Sequence, residues 1–234
     1  MSNTAVTDVG EFFTSWEAYR KVLENNYMHH KEVYQAVSVL LHEKLFDQPF
    51  KMLDLGCGDA CYLAKALQGT AISHYTGFDL SEPALVLAAD NVGALGCSVN
   101  LLNIDFKDGL AQVAERFDVI FSSYAVHHLN NEEKANIFAL ARQSLTEKGF
   151  FLMIDLMREP AESLPAFLDG YCQWMSDTWT NLNAEEISGF RQHIRHYDMP
   201  ETVDTLSALA EIAGFSKVTT VFKLPWHQAL LFCV

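Results

Sequence analysis

Four short clusters in this sequence bring together residue types that bind or activate ligands. In Asp54-Leu55-Gly56-Cys57-Gly58-Asp59-Ala60 two glycines stand two apart, a spacing that tightens a turn and lets a ligand lie against bare backbone. Asp79 and Leu80 follow in Gly77-Phe78-Asp79-Leu80-Ser81. An ionised carboxylate only accepts hydrogen bonds, so at about 20 residues beyond a glycine turn it suits the paired hydroxyls of a ribose. In Asn103-Ile104-Asp105-Phe106 a carboxylate that can accept from an exocyclic amine stands beside an aromatic that can cover a ring. Ser122-Ser123-Tyr124-Ala125-Val126-His127-His128 carries two adjacent histidines, whose pKa suits a general base at neutral pH. Each cluster also has a plainer reading. These are an ordinary strand-to-helix turn, an acid that complements a helix dipole, a polar loop before a core Phe, and one packed plus one solvated histidine. The glycine turn and Asp79 support each other in a ligand role. For the third cluster both readings stand, and for either histidine alone the plain role is the ordinary one.

The elements needed to position these clusters are legible as a pattern. Short apolar, β-branched runs at 51–55, 74–80, 98–103, 117–123 and 149–156 read as strands. Helix-like stretches at 60–67, 82–95 and 131–145 lie between them, with Ser81 as N-cap and Pro83 in the first turn of the second. Such alternation predicts a doubly wound α/β fold, a parallel sheet with helices on both faces and ligands at the carboxyl ends of its strands. Residues 11–46 read as two helices before the sheet. Residues 158–199 break the alternation and are rich in Trp, Tyr and Phe, as a cap or a long irregular loop would be. A helix over 200–213 should end at Gly214. Runs at 216–223 and 228–234 are too close for a crossover helix and should form an antiparallel hairpin.

Composition excludes several classes. The 234 residues are 50% hydrophobic and carry a formal charge of −14, which fits a single folded domain and disfavours phosphate backbones and anionic membranes as partners. Five scattered cysteines show no CxxC pair and no Cys/His zinc spacing, so reduced thiols and no metal are expected. The first residues lack a signal-peptide pattern, and no apolar run approaches the roughly 20 residues of a membrane span, so a soluble cytoplasmic protein is expected.

Taken together, Asp54-x-Gly56-x-Gly58, Asp79, Asp105 and the strand running into Ala125-Val126-His127-His128-Leu129 resemble the class I S-adenosylmethionine-dependent methyltransferases of the small-molecule type. The resemblance covers about 50–156 and returns at 201–234. It implies a three-layer, Rossmann-like sheet of seven mostly parallel strands with an antiparallel last strand inserted beside the fifth. It also implies S-adenosylmethionine as cofactor and S-adenosylhomocysteine as product. Asp54 and the Gly56 backbone would hold the methionine ammonium, and Gly58 would admit the cofactor. Asp79, with Leu80 beside it, would bind the ribose hydroxyls. Asp105 and Phe106 would meet the adenine, and Ser122 or Ser123 would lie under the methionine moiety. The sequence departs from the family pattern at Ala60, where a third glycine is usual.

One domain is expected, with N-terminal helices at 1–48, a cofactor core at 49–157, a helical cap at 158–199 and a closing helix and hairpin at 200–234. The implied reaction is in-line methyl transfer to a small-molecule acceptor. His127 and His128 are the catalytic candidates if the nucleophile carries a proton. Tyr19, Arg20, Tyr27 and His30 before the sheet, and Tyr171 and Trp174 in the cap, are the candidates for binding the acceptor. Rival readings are a non-catalytic S-adenosylmethionine-binding module and a nicotinamide-dependent oxidoreductase. The latter leaves Asp54, Asp105 and the closing hairpin without a role. An aminopropyl transferase would favour more acids than 124–128 contains. Oligomeric state and acceptor identity are not encoded in any motif.

Overall fold

The computed structural model describes residues 16–45 and 47–234. Two helices, α1 (Trp16–Glu24) and α2 (His30–Leu45), precede the sheet; the expected helical positions 11–15 and 46 lie outside the described residues. There follow β1 (Phe50–Leu55), α3 (Cys61–Leu67), β2 (Ile72–Asp79), α4 (Glu82–Gly93), β3 (Ser98–Asn103), α5 (Phe106–Gln112) and β4 (Phe117–Ser123). A 3₁₀ turn at Val126–His128 then leads into α6 (Asn131–Ser144) and β5 (Leu145–Arg158). The chain closes with α7 (Leu164–Thr178), α8 (Ala184–Tyr197), the two-residue β6 (Glu201–Thr202), α9 (Val203–Ala213), β7 (Lys217–Lys223) and β8 (His227–Cys233).

The sheet runs β3-β2-β1-β4-β5-β8-β7, with β6 attached to the end of β5. Strands β1 to β5 pair in parallel, whereas β8 is antiparallel to both β5 and β7. This is the seven-stranded, mostly parallel sheet with one reversed strand. The order reverses between β1 and β4, and that switch point opens the crevice in which doubly wound folds place ligands.

Alternation along the strands builds two cores. Met52, Val119, Phe121, Leu152 and Leu231 face α2, α3 and α4, while Leu53, Leu55, Ile120, Phe151 and Phe232 face α5, α6 and α9. Local chemistry sets the helix starts. The Ser81 hydroxyl accepts from Ala84 N at 3.3 Å, and Asn130 and Glu133 form a capping box at α6. Gly214, at φ 95°, ends α9 as expected.

Two elements differ from expectation. α5 lies in a stretch to which the alternation assigns no helix. Gly109 lowers its helix propensity, yet only glycine fits there, because an added Cβ would lie 2.7 Å from the Phe78 ring. β5 runs four residues earlier than expected and follows α6 directly. The stretch 158–199 is two helices, with a capping box of Asn183 and Glu186 at the start of α8. With α1 they make a third core, in which Val22, Phe167, Met175, Trp179 and Ile194 are buried.

Candidate functional site

Two adjacent cavities open over the carboxyl ends of the central strands, and Tyr19 of α1 lines both. The first is floored by the β1–α3 turn, with Asp54, Gly56, Gly58, Tyr34, Phe121 and Ser123 among its walls. Gly56 and Cys57 donate their N–H groups to the Phe78 carbonyl at 2.9 Å, which bends the turn onto β2. Gly56 has φ +71°, and a Cβ there would press to 2.9 Å from that of Ala125, so glycine is required. Gly58 has φ +51° and nothing within 4 Å of its Cβ position, so its backbone faces open space. Ala60 shares the left-handed conformation, at φ 53°, where the resembling family has glycine.

The acids of this half are held differently. Asp54 is buried and accepts from the Tyr75 hydroxyl at 2.6 Å. Burial raises its pKa to about 7, with the Asp79 charge adding to the rise and the Tyr75 bond opposing it. Asp79 accepts from Gly58 N at 2.7 Å and Ser81 N at 2.8 Å, so it fixes the glycine turn as well as facing it. Burial raises its pKa too, against these backbone bonds. Asp105 caps α5 by accepting from Lys107 N at 2.9 Å. Phe106 approaches the glycine turn, with its ring 3.9 Å from the Gly56 Cβ position, and the Leu80 side chain is 43% exposed at the end of β2. Asp79, Leu80, Asp105 and Phe106 thus stand at or just beyond the carboxyl ends of β2 and β3 but do not line the first cavity. The two serines separate. Ser122 is fully buried and donates to the Leu55 carbonyl at 3.0 Å, which leaves Ser123 as the one on the cavity wall.

The second cavity is bounded by Met28, Tyr124, Leu156, Tyr171, Trp179 and Phe190, with His127, His128, His193 and Asp198 at one side. The imidazoles owe their placement to Asp155, an acid inside an otherwise apolar strand. It is bonded to His127 Nδ1 and accepts from the His127 and Leu156 backbone N–H groups at 2.9 Å. Burial opposes protonation of His127, but the Asp155 and Asp198 carboxylates outweigh it and hold its pKa above the usual value. Burial and the neighbouring His127 push His128 the other way. Lys134 ties the 3₁₀ turn to the segment bearing Asp198: its buried ammonium is bonded to the Leu129 carbonyl and, at 2.7 Å, to that of Met199. Burial lowers its pKa to about 8. Tyr124, strained at φ 53°, donates to the Met28 carbonyl at 2.8 Å and joins the sheet to the α1–α2 loop.

Among the acceptor candidates, Tyr19 and Tyr171 line the second cavity and His30 lines the first. Burial and the nearby His29 lower the His30 pKa to about 3, so it is neutral. Three expectations are corrected. Arg20 points to solvent and pairs with Glu24 at 3.6 Å, because a charged side chain on the outer face of α1 is better hydrated there. Tyr27 stacks on Trp179 at 5.3 Å and accepts from Asn181 N, which makes it a joint between α1–α2 and the α7–α8 pair. Trp174 packs among Tyr171, Trp179 and Trp226 in the third core. Asp155, Asp198 and His193 were not singled out from the sequence. A lone acid in a buried strand is a signal for the first, since a buried charge needs a partner; nothing local marks the other two.

Residues 52–149 match the family model described as a methyltransferase domain. That match, on this sheet order and this glycine turn, gives residues 52–149 a methyltransferase domain, and the fold around it is that of the class I S-adenosylmethionine-dependent methyltransferases. The residues present fit that cofactor: open space stands over the Gly58 backbone, in a cavity that Asp54 also lines. Among curated relatives, the chain is 38% identical over 84 residues to a release factor glutamine methyltransferase of Cereibacter sphaeroides, covering 36% of this chain and only 30% of that protein. It is 24% identical over 194 residues to a carboxy-S-adenosyl-L-methionine synthase of Nautilia profundicola, covering 82% and 80%. Its fold is similar to that of the magnesium protoporphyrin IX methyltransferase of Synechocystis solved with S-adenosylmethionine. That similarity has a TM-score of 0.65 at 16% identity and covers 99% of each chain. Among the described residues no helix is long and apolar enough to cross a membrane.

Proposed function

We propose that the protein methylates a small-molecule acceptor by in-line displacement, with the acceptor seated in the cavity beside His127 and His128. The observation that carries this reading is the shared Tyr19 wall, which sets the glycine-turn cavity next to an aromatic-lined one holding paired imidazoles. When bound, the cofactor supplies a sulfonium-activated methyl group, and the protein supplies alignment and exclusion of water. Asp54 and the Gly56 backbone hold the methionine end, with Ser123 beside it. Asp79 takes the ribose hydroxyls, and Leu80, Asp105 and Phe106 serve the adenine end. Tyr171, Trp179 and Phe190 suit a flat, apolar acceptor body. A protic nucleophile sheds its proton as the new bond forms, and the imidazole cluster marks where that proton leaves. The charge of −14 and five cysteines without a disulfide support a small acceptor in the cytoplasm over a nucleic acid.

Calorimetric titration with S-adenosylmethionine, S-adenosylhomocysteine and NADH is the first test. Binding of the first two alone is expected, followed by S-adenosylhomocysteine release when the low-molecular-weight fraction of a cell extract is added. Turnover only with the macromolecular fraction would exclude a small acceptor, and binding of NADH alone would exclude the cofactor assignment.

A further inference from the structure

Asp198 Oδ1 stands at the centre of a ring of imidazole nitrogens, 3.2 Å from His128 Nδ1, 3.6 Å from His127 Nε2 and 3.8 Å from His193 Nε2. The last two separations are long for hydrogen bonds, and at 3.2 Å His128 Nδ1 and Asp198 Oδ1, both buried, do not meet in hydrogen-bond geometry. The separations match another arrangement. Two ligand atoms on one tetrahedral ion, each about 2.0–2.1 Å from it, lie roughly 3.3 Å apart. Asp155 occupies His127 Nδ1, so Nε2 is the ring atom turned toward Asp198 and the cavity. A carboxylate behind a histidine is the outer partner that metal-ligating imidazoles regularly have. Two buried carboxylates also stand in this small volume, a charge that a divalent cation neutralises.

We propose that His127 Nε2, His128 Nδ1 and Asp198 Oδ1 form a divalent transition-metal site of the zinc type in the wall of the second cavity. These ligand atoms lie within 4.8 Å of one another. Three protein ligands leave a fourth position open toward the cavity, the arrangement of catalytic rather than structural sites. Two imidazoles and one carboxylate suit zinc, cobalt or iron and exclude an all-oxygen magnesium or calcium cage. Its use, which rests on the methyl-transfer reading, is to bind an acceptor hydroxyl. The coordinated O–H bond breaks, the proton passes to water, and the oxygen is left as the nucleophile. The acceptor class is then a hydroxylated, largely apolar ring compound.

The site is tested on metal-stripped full-length protein titrated with Co2+, read by its visible absorption, and with Zn2+ by calorimetry. One equivalent should bind. Asp198→Asn, close in shape, and His128→Ala should each abolish the cobalt spectrum or weaken binding at least tenfold, and Asp155→Asn should weaken it about 10–100-fold. S-adenosylmethionine binding, measured on the same samples, should persist in all of them. Failure of wild type to take up either ion, or equal uptake by wild type and Asp198→Asn, overturns the site. A wild type that binds metal but no S-adenosylmethionine leaves the metal site standing and removes only its proposed use.

Discussion

The two cavities of this molecule share one wall, and the halves that carry them are built on opposite plans. The first takes its chemistry from consecutive strand ends: Asp54 to Gly58 after β1, Asp79 after β2 and Asp105 after β3. Its acids are held by backbone N–H groups or by a neighbouring strand, as Asp79 is by Gly58 N and Ser81 N. The second gathers Tyr19, His127, Tyr171, His193 and Asp198 from four separate stretches of chain and sets side chain against side chain, His127 on Asp155 and His128 on Asp198. A site made by the sheet itself is fixed once the sheet forms. A site made by helices laid over the sheet is fixed only by the contacts that seat them, here Lys21 with Glu186 at 2.6 Å, the Tyr27–Trp179 stack and Lys134.

The sharpest way to break that contrast is Asp155→Ala. Removing one member of a buried ion pair also leaves the His127 and Leu156 N–H groups unmatched, and stability should fall by about 3–5 kcal/mol in denaturant unfolding. If the halves are built separately, the remaining folded protein binds S-adenosylmethionine as before; a parallel loss of cofactor affinity would show that they are one unit. Asp79→Ala tests the other side. It should weaken cofactor binding by about 1.5–3 kcal/mol in calorimetry, through lost charge-assisted hydrogen bonds and a released glycine turn. Unchanged affinity in a folded variant would remove Asp79 from the ribose.

Protonation separates the halves further. Asp54 in the folded protein keeps its proton up to about pH 7, whereas the unfolded chain releases it near 3.8. The folded state therefore binds more protons between those values, and the stability of the free protein should decline as pH rises across that window. The cofactor ammonium favours the ionised carboxylate, so affinity should rise as pH approaches and passes about 7, with a proton released on binding. Asp54→Asn should flatten both profiles; a wild-type affinity independent of pH would place the ammonium elsewhere. The smallest effect is expected from Ala60→Gly, which relieves a left-handed alanine at the entry to α3. Thermal unfolding should shift upward by no more than the equivalent of about 1 kcal/mol, with cofactor affinity retained.

The same contrast decides what could be read before the structure. Strand-end acids and paired glycines are local, so their spacing along the chain already reflects their spacing in space; alternation and one short connection pointed to a parallel sheet and a closing hairpin, and the family resemblance implied the reversed strand beside the fifth. Serine choice was not legible, because whether Ser122 or Ser123 faces the cavity depends on the pleat at the end of β4. Arg20 and Trp174 show the limit for helices, where composition says that a face is aromatic or charged but not which way it turns. Within its own segment Asp198 meets only a helix histidine, His193 at 3.8 Å, a pairing that marks no site in the sequence. Only the fold brings it from the end of α8 to a turn some 70 residues earlier, where His127 and His128 await it.

Tyr19, common to both cavities, is a side chain through which ligands in the two would act on each other. A molecule that fixes its ring on one side changes the free energy of binding on the other, and by linkage the factor is the same in both directions. An acceptor that binds more tightly to the cofactor-loaded protein must therefore slow loss of the cofactor or quicken its capture.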